Sequence, residues 1–388
     1  MYNLKQKDSL YIANTYARQP VEIISGKGSL VYDENGKEYI DLGSGIAVNT
    51  FGVADGEWAK AVYSQLTAVQ HTSNIYYSQP CVALAEMLCV RTGMKKVFFG
   101  NSGAEANECA IKVARKYAQD KKGGGYYTVI TLKNSFHGRT LTTLAATGQD
   151  VFHKLFQPLT AGFVHADAND IESVKALATE NKTCAVMVEL IQGEGGVLPL
   201  EEKFVRELEN FCRAEDILLI IDEVQTGNGR CGKLYDYMNY GITPDIVTTA
   251  KGLGGGLPLG ACMLGEKVQD VLSYGDHGST FGGNPAAAAG AVNILQRIDD
   301  KLLEEVNKKS EYIFKELSGA KGITSVSGKG LMIGIGCERG AKEVQKECVE
   351  RGVLCLTAKD KLRLLPALNI PFDLLKKAIQ IIKEVCAE

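Results

Sequence analysis

Four apolar runs in this 388-residue chain each stop at residues able to do chemistry. Val97–Phe99 leads into Gly100-Asn101-Ser102-Gly103-Ala104, and Cys184–Val188 ends in Glu189. Leu218–Ile221 ends in Asp222, and Ile246–Ala250 ends in Lys251, followed by Gly252-Leu253-Gly254-Gly255-Gly256. A lysine amine can form a Schiff base with an aldehyde, and a carboxylate can keep a ring nitrogen protonated. Small residues opening a helix offer free N–H groups and a favourable dipole to an anion. Each feature alone is ordinary: a turn glycine, a capping or surface acid, a solvated lysine. Together they are the set that pyridoxal phosphate requires, with a lysine for the aldehyde, an acid for the pyridine nitrogen and a cradle for the phosphate.

That reading holds only if the elements bring these points to one edge. In open parallel sheets ligands bind beyond the carboxyl ends of the strands. Further apolar runs at Tyr127–Ile130, Phe163–His165 and Cys262–Leu264 alternate with helical stretches, the pattern of a mostly parallel sheet covered on both faces. Ser102 stands where an N-cap belongs, Glu105 follows three residues later, and Ala106, Ala110, Val113 and Tyr117 recur at helical spacing. A second helix is expected from about Glu201 to Ala214. Val21–Ile24, Ser29–Tyr32 and Glu38–Leu42 read as strands, with a tight turn at Asp33-Glu34-Asn35-Gly36. Beyond about residue 286 a long helical stretch precedes strands at Leu331–Ile335 and Val353–Leu356 and a final helix from Phe372 to Cys386. The expected division is a segment 1–50 joining a small α+β domain at 291–388, with a large cofactor-binding domain at 51–290.

Composition narrows the function classes. A net charge of −3 gives no basic footprint for nucleic acid. Charged side chains throughout the first thirty residues argue against a secretory signal, and the uncharged stretch Gly278–Gln296 is too polar to span a bilayer. Eleven cysteines with no C-x-x-C pair and no zinc-ligand spacing read as reduced thiols in a cytoplasmic protein, with no metal site. The glycine-rich runs match neither G-x-G-x-x-G opening a helix after the first strand nor G-x-x-x-x-G-K-[ST], which removes a nucleotide-binding module.

The motifs are also recognisable as a set. Gly26-Lys27-Gly28, Ser44-Gly45-Ile46-Ala47-Val48-Asn49 and His71-Thr72-Ser73-Asn74-Ile75-Tyr76-Tyr77 come first. Asn101-Ser102-Gly103-Ala104-Glu105-Ala106-Asn107, Phe136-His137-Gly138-Arg139-Thr140 and Gln192-Gly193-Glu194-Gly195-Gly196 follow. Asp222-Glu223-Val224-Gln225-Thr226-Gly227, Lys251-Gly252, Gly278-Ser279-Thr280-Phe281-Gly282-Gly283-Asn284-Pro285 and Leu362-Arg363-Leu364-Leu365-Pro366 complete the series. In this order, over nearly the whole chain, the sequence resembles the class III aminotransferases of the α/β, aspartate-aminotransferase-like fold (fold type I), and within them the branch that acts on N-acetylornithine. It departs at Val53-Ala54-Asp55-Gly56, where many relatives carry His-x-His-Pro, and at Leu190, where a proline is usual.

The resemblance implies roles residue by residue. Ser102, Gly103 and Ala104 hold the phosphate, and Thr280 reaches the cofactor of a partner subunit, so a homodimer with shared sites is implied. Phe136 and Val224 flank the ring, Asp222 pairs with its nitrogen, Gln225 with its hydroxyl, and Glu189 supports the site from behind. Lys251 carries the Schiff base and shuttles the proton. Tyr16 and Arg139 grip the substrate α-carboxylate, where a planar guanidinium matches a carboxylate bidentately. Glu194 neutralises Arg363 while the amine donor is bound and swings away when 2-oxoglutarate needs that arginine. Ile46 stands where ornithine-specific relatives place a tyrosine, which favours an acylated amide. The implied reaction moves the terminal amine of N2-acetylornithine to 2-oxoglutarate. Ornithine, succinylornithine, N-acetyl-diaminopimelate precursors and 4-aminobutyrate share that terminal amine. A catalytically dead, regulatory binder of the cofactor is opposed by the intact Lys251, Asp222 and Arg139.

Overall fold

The computed structural model describes residues 3–388. After a helix at Leu4–Tyr11 the chain forms an antiparallel meander of β1 (Ile23–Lys27), β2 (Leu30–Asp33) and β3 (Glu38–Asp41). The Asp33 carboxylate closes the tight turn by accepting from the Asn35 and Lys37 N–H groups, each at 2.9 Å. The first strand starts two residues later than expected and runs on through Gly26. Its limits follow the pairing with β2, which is bulged between Ile23 and Ser25, and not the apolar run.

The large sheet has seven strands. These are β4 (Lys96–Gly100), β5 (Thr128–Leu132), β6 (Phe163–Ala166) and β7 (Thr183–Val188), then, past the small hairpin β8 (Ile191–Gln192) and β9 (Leu198–Pro199), β10 (Leu218–Asp222), β11 (Ile246–Thr249) and β12 (Gly260–Leu264). Their order is β4-β12-β11-β10-β7-β5-β6, and only β12 runs antiparallel to its neighbours. The mostly parallel sheet expected from the unbroken apolar runs is present. Alternation along the strands feeds two separate cores. Leu219, Ile221 and Val247 pack on one face, while Leu218, Ile220 and Ile246 join Ala110, Val113 and Tyr117 of the helix Gly103–Lys122 on the other.

The long helical stretch beyond residue 285 is two helices, Pro285–Arg297 and Asp300–Leu317, because the Asp299 carboxylate caps the second by accepting from the Leu302 N–H. Beyond them lie β13 (Ile323–Lys329), β14 (Met332–Cys337), β15 (Val353–Leu354), β16 (Leu356–Ala358) and β17 (Lys361–Leu364), then the last helix, Phe372–Ala387. The expected single strand Val353–Leu356 is split at Cys355. Its first part pairs with β3, and its continuation joins the antiparallel sheet β13-β14-β17-β16. Ile40 and Leu42 from the N-terminal meander share a core with Ile333, Leu362 and Ile379. Among the described residues no helix is long and apolar enough to cross a membrane, and no cluster of metal-ligating side chains occurs.

Candidate active site

The four chemical points do converge. A cavity of about 450 Å³ is lined by Ser102, Gly103, Ala104, Phe136, Arg139, Glu189, Asp222, Val224, Gln225 and Lys251, together with Asn107, His137 and the Gly256–Leu259 segment. It opens at the carboxyl ends of β4, β5, β7, β10 and β11, where the topology of a parallel sheet leaves strand ends and helix starts facing one crevice.

The cradle is the start of the helix Gly103–Lys122. The Ser102 side-chain oxygen accepts from the Glu105 N–H at 3.2 Å, which leaves its O–H free to donate. Gly103 is fixed by contact: a Cβ there would come within 2.7 Å of Val224 Cγ1, so only glycine lets Val224 lie over the helix start. Ser102, Gly103 and Ala104, at the start of this helix, line the cavity, where the helix N-terminus favours an anion.

Asp222, the last residue of β10, is held on three sides. Its Oδ2 accepts from Asn107 Nδ2 and lies 2.8 Å from His137 Nδ1, and its Oδ1 accepts from the Val224 N–H at 3.0 Å. Asn107 is fixed in turn by Thr248, whose hydroxyl donates to Asn107 Oδ1 at 2.6 Å. His137 and Asn107 are the functional residues that the sequence reasoning missed. Both lay inside motifs it quoted, and Asn107 had a signal of its own: a polar side chain among Ala106, Cys109, Ala110 and Val113, on the buried face of an amphipathic helix.

Glu189, the residue after β7, lines the same cavity. Its carboxylate accepts from the Phe136 N–H at 2.8 Å and the Gly193 N–H at 3.2 Å, and burial pushes the carboxyl up to about 7 against the pull of His137. Lys251 follows β11 with a φ of +45°, in the left-handed region that costs a non-glycine residue about 1 kcal/mol. The loop around it is pinned by Asn228 on the Ala250 carbonyl, Thr50 on the Gly252 carbonyl and Trp58 on the Gly254 carbonyl. Burial holds the Lys251 amine below the usual lysine range, with Glu194 opposing. A neutral amine is the form that attacks a carbonyl.

Glu194 and Arg363 form an ion pair at 2.6 Å, and Arg363 is 3% exposed. Burial opposes the charge on Glu194, yet Arg363 holds its carboxyl below the usual range. The Gln225 carboxamide is drawn into this pair, its Oε1 accepting from Arg363 at 3.1 Å. Arg139 is different. It is exposed, has no ion-pair or hydrogen-bond partner among the described residues, and lies against the faces of Phe136 and Phe152, 5.5 and 4.3 Å from their centroids.

Three expected residues are not gathered by the single chain. Thr280 is exposed and lines a separate depression with Phe98, Glu105 and His277. Tyr16 is 75% exposed and packs against Arg18. Ile46, at 41% exposure, lies outside the cavity wall, while Val48 is part of it. The turn that carries Ile46 is unusual: Ser44, Gly45, Ile46 and Ala47 all have positive φ, a full left-handed turn tied down where Asp41 accepts from the Gly43 and Ser44 N–H groups.

Pyridoxal phosphate fits this arrangement on its own terms. An amine, a carboxylate, an open helix start and a slot between Phe136 and Val224 face one cavity of suitable size. The comparisons with known proteins agree. The family model "Aminotransferase class-III" matches residues 11–386. The chain is 48% identical to an acetylornithine aminotransferase of Haemophilus ducreyi over 387 residues, covering 99% of this chain and 98% of the relative. It is 45% identical to one of Aquifex aeolicus over 377 residues, covering 97% and 99%. Among solved structures, it resembles the ornithine aminotransferase of Toxoplasma gondii, with pyridoxal phosphate partly occupying the active site, at a TM-score of 0.93 and 31% identity over 98% of this chain and 93% of that one. It also resembles the N-acetylornithine aminotransferase of Stenotrophomonas maltophilia, at a TM-score of 0.86 and 32% identity over 99% and 98%. The chain belongs to the class III aminotransferases.

Proposed function

We propose that this chain transfers the terminal amine of N2-acetylornithine to 2-oxoglutarate, giving N-acetylglutamate semialdehyde and glutamate. The observation that carries the substrate choice is the likeness, over nearly the full length, to relatives named acetylornithine aminotransferase at 42 to 48% identity. Ile46, though outside the cavity wall of the single chain, is consistent with that choice by type, since an aliphatic side chain offers a free α-amino group no hydrogen bond.

When bound, pyridoxal phosphate supplies an aldehyde that condenses with amines and a protonated ring that takes up the electron pair of a broken C–H bond. The chain's residues do the rest. The N–H groups at Ser102, Gly103 and Ala104 bind the phosphate, and Phe136 and Val224 orient the ring. Asp222 keeps the proton on the ring nitrogen, and His137 and Asn107 keep Asp222 aimed. Lys251 Nζ would take up the proton released from the substrate's amine-bearing carbon, as general base and then acid. Arg139, with Tyr16, binds the α-carboxylate. Glu194 covers the Arg363 charge for a donor with no second carboxylate and releases it for 2-oxoglutarate; a buried arginine left alone in the first half-reaction would be costly. Gln225, which accepts from Arg363, would hold the ring hydroxyl. Glu189 fixes the backbone of Phe136.

The same proposal includes a homodimer, with Thr280 of each chain serving the other chain's phosphate, a cytoplasmic setting, and domains divided near residues 50 and 290. The exposed Thr280, 59%-exposed Phe281 and fully exposed Tyr77 support a partner covering this face. Single-turnover rates with N-acetylornithine, ornithine, succinylornithine and 4-aminobutyrate test the substrate. N-acetylornithine should be fastest, and a faster reaction with ornithine would overturn the assignment.

A further inference from the structure

All eleven cysteines are free thiols, and three of them, Cys81, Cys89 and Cys337, are half-buried, while the others are buried. Access to solvent and thiolate character together decide which thiol reacts with a disulfide. Burial pushes the Cys81 and Cys89 thiols up, and neither has a thiol among its hydrogen-bond partners. Cys337 differs on both counts. Its Sγ lies 3.8 Å from the Sγ of Cys386, which donates to it. That hydrogen bond lowers the Cys337 thiol against the opposing effect of burial, and the same contact, with burial, raises Cys386. Cys337 Sγ thus accepts from Cys386 and itself donates to the Ile335 carbonyl at 3.6 Å, so two thiols stand side by side with Cys337 the more acidic.

The pair is held in place by backbone contacts on both sides. Cys337 ends β14, and the next residue, Glu338, donates its N–H to the Gly322 carbonyl at 3.0 Å. Gly322 has a φ of +77° and lies so close to the last helix that a Cβ would overlap the Cys386 carbonyl. Arg339 Nη1 donates to the Val385 carbonyl at 2.9 Å. The end of β14 and the end of the last helix are therefore fastened together around the two sulfurs, although 49 positions separate them in sequence.

We propose that Cys337 and Cys386 form a reversible dithiol site that low-molecular-weight disulfides oxidise to an internal disulfide. Cys337 loses its proton to solvent and attacks one sulfur of the small disulfide, forming a mixed disulfide and expelling one small thiolate. The Cys386 thiol then loses its proton to solvent and attacks the Cys337 sulfur, expelling the second small thiolate. Two protein thiols are oxidised and one small disulfide is reduced to two thiols, so no other oxidant is needed. The product bolts the last helix to β14, whose neighbour β17 carries Arg363 in register with Gly334. This inference does not depend on the substrate assignment.

The holoenzyme is incubated with glutathione disulfide, free thiols are blocked, and a non-reducing digest is mapped by mass. The expected result is the loss of two free thiols per chain, release of two equivalents of glutathione, a linked Cys337–Cys386 peptide, and reversal by dithiothreitol. Cys386→Ser should stop at one glutathione on Cys337 with one equivalent released, and Cys337→Ser should leave Cys386 unmodified. An unchanged thiol count overturns the proposal, as does linkage within Cys109 and Cys262 or Cys348 and Cys355, or adducts confined to Cys81 and Cys89. Mapping of the unaltered chain decides the matter even if a variant fails to fold.

Discussion

The groups proposed to hold the cofactor and those proposed to meet the substrate are built on opposite terms. On the cofactor side nearly every polar group is bonded: both Asp222 oxygens, both Glu189 oxygens and the Lys251 loop have named partners. On the substrate side the groups are open or paired provisionally. Arg139 lies on two aromatic faces without an ion-pair partner among the described residues, Tyr16 faces solvent, and Arg363 is paired with the half-buried Glu194. The difference follows from the task. The cofactor meets the same groups in every turnover, so fixing them costs nothing during reaction, whereas two different substrates must share one pocket. Preorganised partners suit the first demand, and free valence suits the second.

That contrast can be broken at several points. Lys251→Ala should lower transamination by about 10⁴-fold, the upper range for removing a positioned acid–base group, without lowering the melting temperature. Asp222→Asn comes next, at about 10²- to 10³-fold in kcat, because the isosteric amide removes the negative charge and its NH2 cannot accept one of the N–H bonds that the two Asp222 oxygens take from Asn107, His137 and Val224. If Asp222→Asn instead unfolded the chain, the cofactor side would be a matter of stability and not of preorganisation. Arg139→Lys should raise KM for both substrates about tenfold with little change in kcat, since a point charge replaces a planar fork. A kcat loss as large as that of Asp222→Asn would erase the distinction between the two sides.

The smallest effect lies outside the cavity, on β6. His165 Nδ1 lies 2.7 Å from the Thr131 hydroxyl, and burial, with His153 and His137 adding, pushes the imidazole down to about 4. The folded value lies below the unfolded value near 6.5. The contribution to stability is therefore whole above pH 6.5 and is lost as pH falls toward 4, by about 2 kcal/mol for this partly exposed ring. Denaturant unfolding at pH 7 and pH 4.5 should give a smaller difference for His165→Gln than for the unaltered chain. An equal difference would assign the acid sensitivity elsewhere.

The cofactor side was legible in sequence for a physical reason. Parallel strands buried on both faces read as unbroken apolar runs, so a charged residue at the end of one stands out, as Asp222 and Lys251 do. The proposed substrate side was harder to read, because Tyr16 and Ile46 take their place from backbone geometry, and Thr280, proposed for the phosphate, needs a second chain. Nothing in Ser44-Gly45-Ile46-Ala47 announces a left-handed turn, since three of its four residues ordinarily avoid that region. The strands β13 and β17 were missed because glycine, serine and lysine interrupt their alternation, and pairing with β14 carries them. Cys355 escaped notice as a break for a similar reason: an apolar residue marks the point where one extended segment leaves one sheet for another.

The contact between Gly103 and Val224 also constrains how this sequence can change over generations. Any side chain at 103 must displace Val224, and a smaller residue at 224 would make that room by uncovering one face of the ring slot. Neither position can drift alone, and the two lie 121 places apart on different elements (224 − 103). Variation at this wall must arrive in pairs, which leaves the rest of the pocket as the place where lineages of such enzymes are free to diverge.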